Sequence, residues 1–140
     1  MDKGERDFWQ HHSLRFLEMA FRTDRMETVA SPDGVGKRTG ECGDTVEFFV
    51  LMEGDHVRRV SFQTNGCFNT VACANTVAEM AEGRSLEEAW DIRPEDVAAF
   101  LETLPDGEFH CAELAVGALY LALSDVQRRR REPWRKLYGS

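Results

Sequence analysis

The chain has 140 residues, 42% hydrophobic and 30% charged, with a net charge of −8 from 25 acidic against 17 basic side chains. That length and composition fit one domain able to bury its own core, and they exclude a disordered or low-complexity chain. The acidic balance argues against nucleic acid and anionic membrane surfaces as partners, and no apolar run approaches the ~20 residues of a membrane span.

In chain order, residues 7–22 carry Phe8, Trp9, Phe16, Leu17, Ala20 and Phe21 as an apolar stripe at helical spacing. Residues 23–40, with Pro32 and Gly34, Gly36 and Gly40, read as loop with a short edge strand around residues 35–38. Residues 45–52 alternate, placing Val46, Phe48, Val50 and Met52 on one face. Glu53-Gly54-Asp55 then turns the chain, and residues 56–64 alternate again through Val60 and Phe62, which predicts a β-hairpin. Asn65-Gly66 resembles another hairpin turn. The spacing of Val71, Ala74, Val77, Ala78 and Ala81 that follows is helical, so it reads as a strand-to-helix turn with Cys67 at the helix start. Ser85-Leu86-Glu87-Glu88 has the form of a capping box, and Pro94, Glu95 and Asp96 suit the first turn of a helix whose stripe is Val97, Phe100, Leu101 and Leu104. Leu104-Pro105-Asp106-Gly107 stops that helix. A last one runs from about His110 to Arg131, and Pro133 ends it. Its apolar stretch over residues 112–123 is interrupted by Glu113 and reads as a core helix. Early strands and late helices predict an α+β fold.

Residues 1–12 are charged and lack the apolar stretch of a secretory signal, so a cytoplasmic location is expected, where thiols stay reduced. Four cysteines in such a compartment are metal or redox candidates first. Cys42 and Asp44 stand two apart, and in an extended segment they would aim at one ion, with Gly43 leaving the approach uncrowded. Cys67 and His110-Cys111 fall at predicted helix starts, where free backbone N–H groups favour thiolate over thiol. Without a CxxC pair, the spacing alone fits a metal or cluster site and buried structural thiols equally well.

Gly40-x-Cys42-Gly43-Asp44, Thr64-x-Gly66-Cys67 and His110-Cys111 together resemble the three ligand motifs of the IscU/NifU-type iron–sulfur cluster assembly scaffold family, over about residues 35–131. The resemblance implies a SufE/NifU-like domain spanning residues 1–140. It would have a small, about three-stranded antiparallel sheet packed against several helices, an N-terminal helix and loop in 1–33, and a C-terminal tail in 132–140. It further implies a non-catalytic scaffold for a transient 2Fe–2S cluster, held by Cys42, Asp44, Cys67, His110 and Cys111, with zinc possible in the isolated protein. Three thiolates are present, and either Asp44 or His110 completes the set of four. The implied partners are a cysteine desulfurase, an iron donor and apo iron–sulfur acceptor proteins. Whether the chain is a monomer or a homodimer is left open.

Pro105-Asp106-Gly107-Glu108 stands where many members carry a Leu-Pro-Pro-Val-Lys chaperone-recognition segment, with Glu108 in place of lysine, so a dedicated chaperone is not expected. Phe68-Asn69-Thr70 replaces the usual small residues, and the family's Asn-Pro-Arg stretch is missing. The alternative function is a zinc-dependent sulfurtransferase accepting persulfide sulfur from a desulfurase. Such relatives carry an insertion between the second and third motifs, whereas only 43 residues separate Cys67 from Cys111 here.

Cys73, about 240° round an ideal helix from Cys67, reads as a core thiol, with a reserve sulfur acceptor as the sharper alternative. His11, His12 and His56 read as solvated. Residues 128–131 complement a helix C-terminus; with Arg135 and Lys136, and Trp134, Leu137 and Tyr138 as an apolar anchor, they suit an acidic partner. Gly34-Val35-Gly36-Lys37 hints at a phosphate loop, but Arg38 replaces the Ser/Thr and Ser31 the first glycine.

Overall fold

The computed structural model describes residues 12–132. Helix α1 (Leu14–Phe21) starts where the Ser13 hydroxyl accepts the Phe16 N–H at 3.0 Å. The apolar spacing predicts one helix across 7–22; Ser13 is extended and caps instead, so the helix begins at Leu14, and Phe8, Trp9 and His11 lie outside the described residues. The same hydroxyl donates to the Leu101 carbonyl at 2.8 Å, tying α1 to a later helix. His12 is not a solvated side chain: its ring stacks on Phe16 at 4.4 Å.

Strands β1 (Gly34–Thr39), β2 (Thr45–Glu53) and β3 (His56–Thr64) form one antiparallel sheet in the order β1-β2-β3. Alternation puts Val46, Phe48, Val50, Val60 and Phe62 on the covered face, all fully buried, with Phe48 opposite Phe62 in the register. Each such side chain contributes about 1.5–3 kcal/mol through its burial. Gly34 and Gly36 pair with Val50 and Phe48. A Cβ on Gly36 would overlap the Ala118 carbonyl and the Ala122 amide of the last helix, so the two glycines let helix backbone lie directly on the strand. The glycine spacing that hints at a phosphate loop is thus a packing surface.

Helix α2 (Phe68–Ala81) follows the sheet, then a single turn α3 (Leu86–Ala89) closed by the expected Ser85/Glu88 capping box, then α4 (Pro94–Leu101), with proline in its first turn. A 3₁₀ turn (Asp106–Glu108) leads into α5 (Phe109–Arg131). Among the described residues α5 is the one helix long and apolar enough to cross a membrane, but it is the central core element here. It packs on β1, β2, α2 and α4, with Ala112, Ala115, Ala118, Leu119, Ala122 and Leu123 fully buried. Asn75, fully buried on α2, donates its amide to the Met19 and Arg22 carbonyls and so closes the end of α1. The basic run is used locally: Arg128 and Arg129 pair with Asp125, and Arg130 reaches Asp55. Trp134, Arg135, Lys136, Leu137 and Tyr138 lie outside the described residues.

Candidate functional site

Three element ends meet at one end of the sheet. The first is the β1–β2 hairpin loop, where the Gly43 N–H donates to the Gly40 carbonyl at 3.0 Å and the Gly40 N–H to the Asp44 carbonyl at 2.8 Å. Gly43 has φ +91°. This is a tight turn closed by a left-handed residue, not the extended segment expected from the sequence. Gly43 is therefore required by its backbone; a Cβ there would meet nothing within 4 Å, so relief of crowding is not its role. Cys42 stands exposed at the tip, and Asp44, half-buried, points inward.

The second end is the turn from β3 into α2. The Asn65 carboxamide accepts the Thr45 N–H at 2.8 Å and the Thr64 hydroxyl donates to the Thr45 carbonyl at 2.6 Å, fastening this turn to the first loop. Cys67 is the N-cap residue of α2, as expected, exposed and without a side-chain capping bond. One helical turn on lies Thr70, fully buried. A Cβ on Gly66 would come within 2.5 Å of the Thr70 Cβ, so the bare glycine is what lets Thr70 sit here.

The third end is the start of α5. Cys111 is buried at 1% exposure, and its Sγ lies 3.5 Å from Glu108 Oε2 and 3.7 Å from His110 Nε2. His110 Nε2 and Glu108 Oε2 are themselves 3.7 Å apart. The Thr70 hydroxyl lies 3.1 Å from Asp44 Oδ2 and 3.5 Å from Cys111 Sγ, so one side chain of α2 touches donors from both other ends.

The electrostatics reverse one expectation. Burial first, opposed by the Thr70 hydroxyl and then reinforced by the Glu108 carboxylate, pushes the Cys111 thiol up to about 12. Its place in the first turn of α5 does not make it a thiolate, because the side chain is packed out of water. Cys73 is fully buried and its thiol is raised well above the ordinary value by that burial, which agrees with a core thiol.

Cys42 lines a cleft of about 480 Å³ together with His110, Arg38 and Glu113. Among the described residues, the ligand-capable atoms of Glu108, His110 and Cys111 all lie within 4.8 Å of one another, whereas Cys42, Asp44 and Cys67 fall outside that group. The structure thus joins Asp44 to Cys111 through Thr70 and His110 to Cys111 directly. Two residues of the site were missed in the sequence. Thr70 is signalled by its place three residues after Cys67 on a helix, which returns it to the same face. Glu108 is signalled by standing two and three residues ahead of His110 and Cys111 where a helix begins.

The NifU-like N terminal domain family matches residues 24–133. The chain is 34% identical over 102 residues to the iron–sulfur cluster assembly scaffold protein IscU 1 of Archaeoglobus fulgidus, covering 72% of this chain and 67% of that one. It is 33% identical over 90 residues to the scaffold protein IscU of Escherichia coli, covering 64% and 70%. In fold it is similar to the SufU protein of Fervidobacterium islandicum, with a TM-score of 0.69 at 19% identity over 81% of this chain and 97% of that one. A NifU-like protein of Brucella abortus gives the same TM-score at 18% identity, over 84% and 94%. A match running across the sheet, α2 and the whole of α5 settles the family: this chain belongs to the NifU-like N terminal domain family.

Proposed function

We propose that this protein is a cytoplasmic scaffold on which an iron–sulfur cluster is assembled and from which it is passed to acceptor apo-proteins. The observation that carries the reading is the Thr70 hydroxyl lodged between Asp44 Oδ2 and Cys111 Sγ. It makes neighbours of two donors 67 positions apart in the chain, at the point where Cys67 also caps α2. The relatives named as scaffolds supply the direction of the chemistry.

In this reading the cluster is cargo, of the 2Fe–2S type, built from iron and from sulfur delivered by a cysteine desulfurase. Cys42 and Cys67, both exposed, are the thiols that a partner reaches first. Cys111 becomes a ligand only when the incoming iron replaces its thiol proton, since burial holds that proton on. Asp44 or His110 completes the ligand set, and an oxygen or nitrogen donor in place of a fourth thiolate leaves the cluster easier to release.

Anaerobic reconstitution with iron(II), a cysteine desulfurase and cysteine tests this. The wild type should develop visible sulfide-to-iron charge-transfer absorption with near-stoichiometric iron and sulfide, and Cys42→Ser, Cys67→Ser and Cys111→Ser should each lose it. A protein that stays colourless, retains zinc and stimulates cysteine turnover would instead be a zinc-dependent sulfurtransferase, and the scaffold reading would fail.

A further inference from the structure

Arg38 is a cation that the scaffold reading does not use. It lies on β1, two residues before Gly40, and lines the cleft of about 480 Å³ together with Cys42, His110, Glu41, Glu113 and Leu114. Arg22, Arg25, Arg59 and Arg128 each reach a carboxylate, whereas among the described residues no ion pair involves Arg38. Its guanidinium makes one hydrogen bond among these residues, from Nη1 to the Glu113 carbonyl at a long 3.4 Å, which leaves most of its five N–H donors unused.

The guanidinium is also seated. It rests on α5 at Gly117, where a Cβ would come within 1.8 Å of Arg38 Nη1 and within 2.9 Å of its Cδ and Cζ. Gly117 lies inside a 23-residue helix, where glycine is about 1 kcal/mol less favourable than alanine. The bare backbone is what lets the stem and head of Arg38 lie against the helix beside the cleft. Among the described lining residues Arg38 is the one that carries positive charge at every physiological pH, while Glu41 and Glu113 bring negative charge. Without Arg38 the space beside Cys42 would repel an anion; with it, a planar fork of donors is available to one.

We propose that Arg38 holds sulfur in transit: its guanidinium donates to the terminal sulfur of a persulfide formed on Cys42, and so makes Cys42, rather than Cys67, the thiol that stores incoming sulfur. Both thiols are exposed, but Cys67 caps α2 and is not among the residues that line this cleft. The inference rests on the scaffold reading for the source of the sulfur, a protein-bound persulfide. In the step, the Cys42 thiolate attacks the terminal sulfur of the donor persulfide. A new S–S bond forms on Cys42 as the donor's S–S bond breaks, and the donor sulfur leaves with the electron pair as a thiolate. The transferred sulfur keeps its oxidation state. It arrives with one proton and loses it to the buffer, and the guanidinium N–H groups hold the resulting Cys42 persulfide anion.

The test uses the full chain, reduced, metal-free and anaerobic, equilibrated with glutathione persulfide and glutathione as the sulfur donor and its leaving thiol. After alkylation, mass spectrometry of proteolytic peptides reads the persulfide fraction at Cys42 and at Cys67 in the same sample. In the wild type the fraction at Cys42 should exceed that at Cys67. Arg38→Met should lower the Cys42-to-Cys67 ratio by about threefold to fivefold, the scale of one charge contact open to solvent. Arg38→Glu should lower it further, and Arg38→Lys should restore part of it. Raised salt should move the wild-type ratio toward that of Arg38→Met. Circular dichroism reports that each variant is folded, and Cys67 is the internal control. An unchanged ratio in both Arg38→Met and Arg38→Glu overturns the proposal, whether neither cysteine responds or both fall together. A wild type that favours Cys67 overturns it as well. Sulfur storage is read here without iron, so failure of the protein to build a cluster would remove the scaffold reading and leave this one standing.

Discussion

Replacing Thr70 by valine keeps the buried volume and deletes one hydroxyl. That hydroxyl lies 3.1 Å from Asp44 Oδ2 and 3.5 Å from Cys111 Sγ, on a side chain with no solvent exposure. A hydrogen bond to an ionised carboxylate is worth about 1.5–3 kcal/mol where water cannot substitute for it. Asp44 is only half-buried, so water recovers part of this, and the net loss should be about 1–2 kcal/mol. The measurement is a double-mutant cycle by urea denaturation with Thr70→Val, Asp44→Ala and the pair. If the hydroxyl acts through Asp44, the double mutant should be more stable than the sum of the single effects predicts, by about 1 kcal/mol. Additivity within about 0.3 kcal/mol would refute the coupling, and with it the claim that α2 holds the two other element ends in register.

Gly36→Ala should destabilise by about 1–3 kcal/mol or more through overpacking, because its methyl would meet α5 backbone at Ala118 and Ala122, which cannot yield as a side-chain tip does; a thermal melt reads it, and a neutral result would mean that β1 and α5 separate easily. Stability should fall as pH rises above 9, since the folded protein keeps the Cys111 proton up to about pH 12 while the unfolded chain releases it near the ordinary thiol value. Cys111→Ser should flatten the urea-midpoint profile above that pH, leaving the smaller slope that Cys73, raised in the same direction, contributes. For cluster release, Asp44→Ala should slow transfer from the reconstituted protein to an apo-ferredoxin; equal transfer rates would discard the idea that a mixed ligand set keeps the cluster labile.

The elements were legible wherever local chemistry decides. Alternation in β2 and β3, the Ser85 cap, Pro94 and the α5 stripe each carry their own instruction, and these elements start within a residue or two of their expected places, although α4 ends at Leu101, before Leu104. Among the described residues the N-terminal helix starts at Leu14, inside the apolar stripe, because a stripe cannot see that Ser13 caps it from an extended backbone. The hairpin tip was misjudged because a residue count of two means a shared face only in extended chain, and the left-handed Gly43 bends it. The cysteine positions were legible as motifs, but their ionisation was not. A helix-start position favours thiolate only when the side chain points outward, and the inward packing of Cys111 is a tertiary fact. Glu108 shows the same limit: in sequence it is a departure from a chaperone-binding segment, and only the turn of the chain beside His110 gives it a chemical neighbour.

What fixes the site geometry is not the sulfur. The hairpin tip is held by its own backbone bonds, the second turn by Asn65 and Thr64 on Thr45, and the His110 ring by the Gly107 carbonyl. The core beneath, from Phe16 through Phe48 and Phe62 to Leu119 and Leu123, is made of fully buried apolar side chains that are not metal ligands. A small zinc finger behaves in the opposite way, since its folding free energy is its metal-binding free energy and removing the ion unfolds it. If the chain acts as the proposed scaffold, it is empty, loaded and empty again, and it cannot work like that, because each release would cost it its fold. Placing the donors on element ends whose shape is set by other bonds separates the two free energies, so that cargo can leave a scaffold that stays ready for the next.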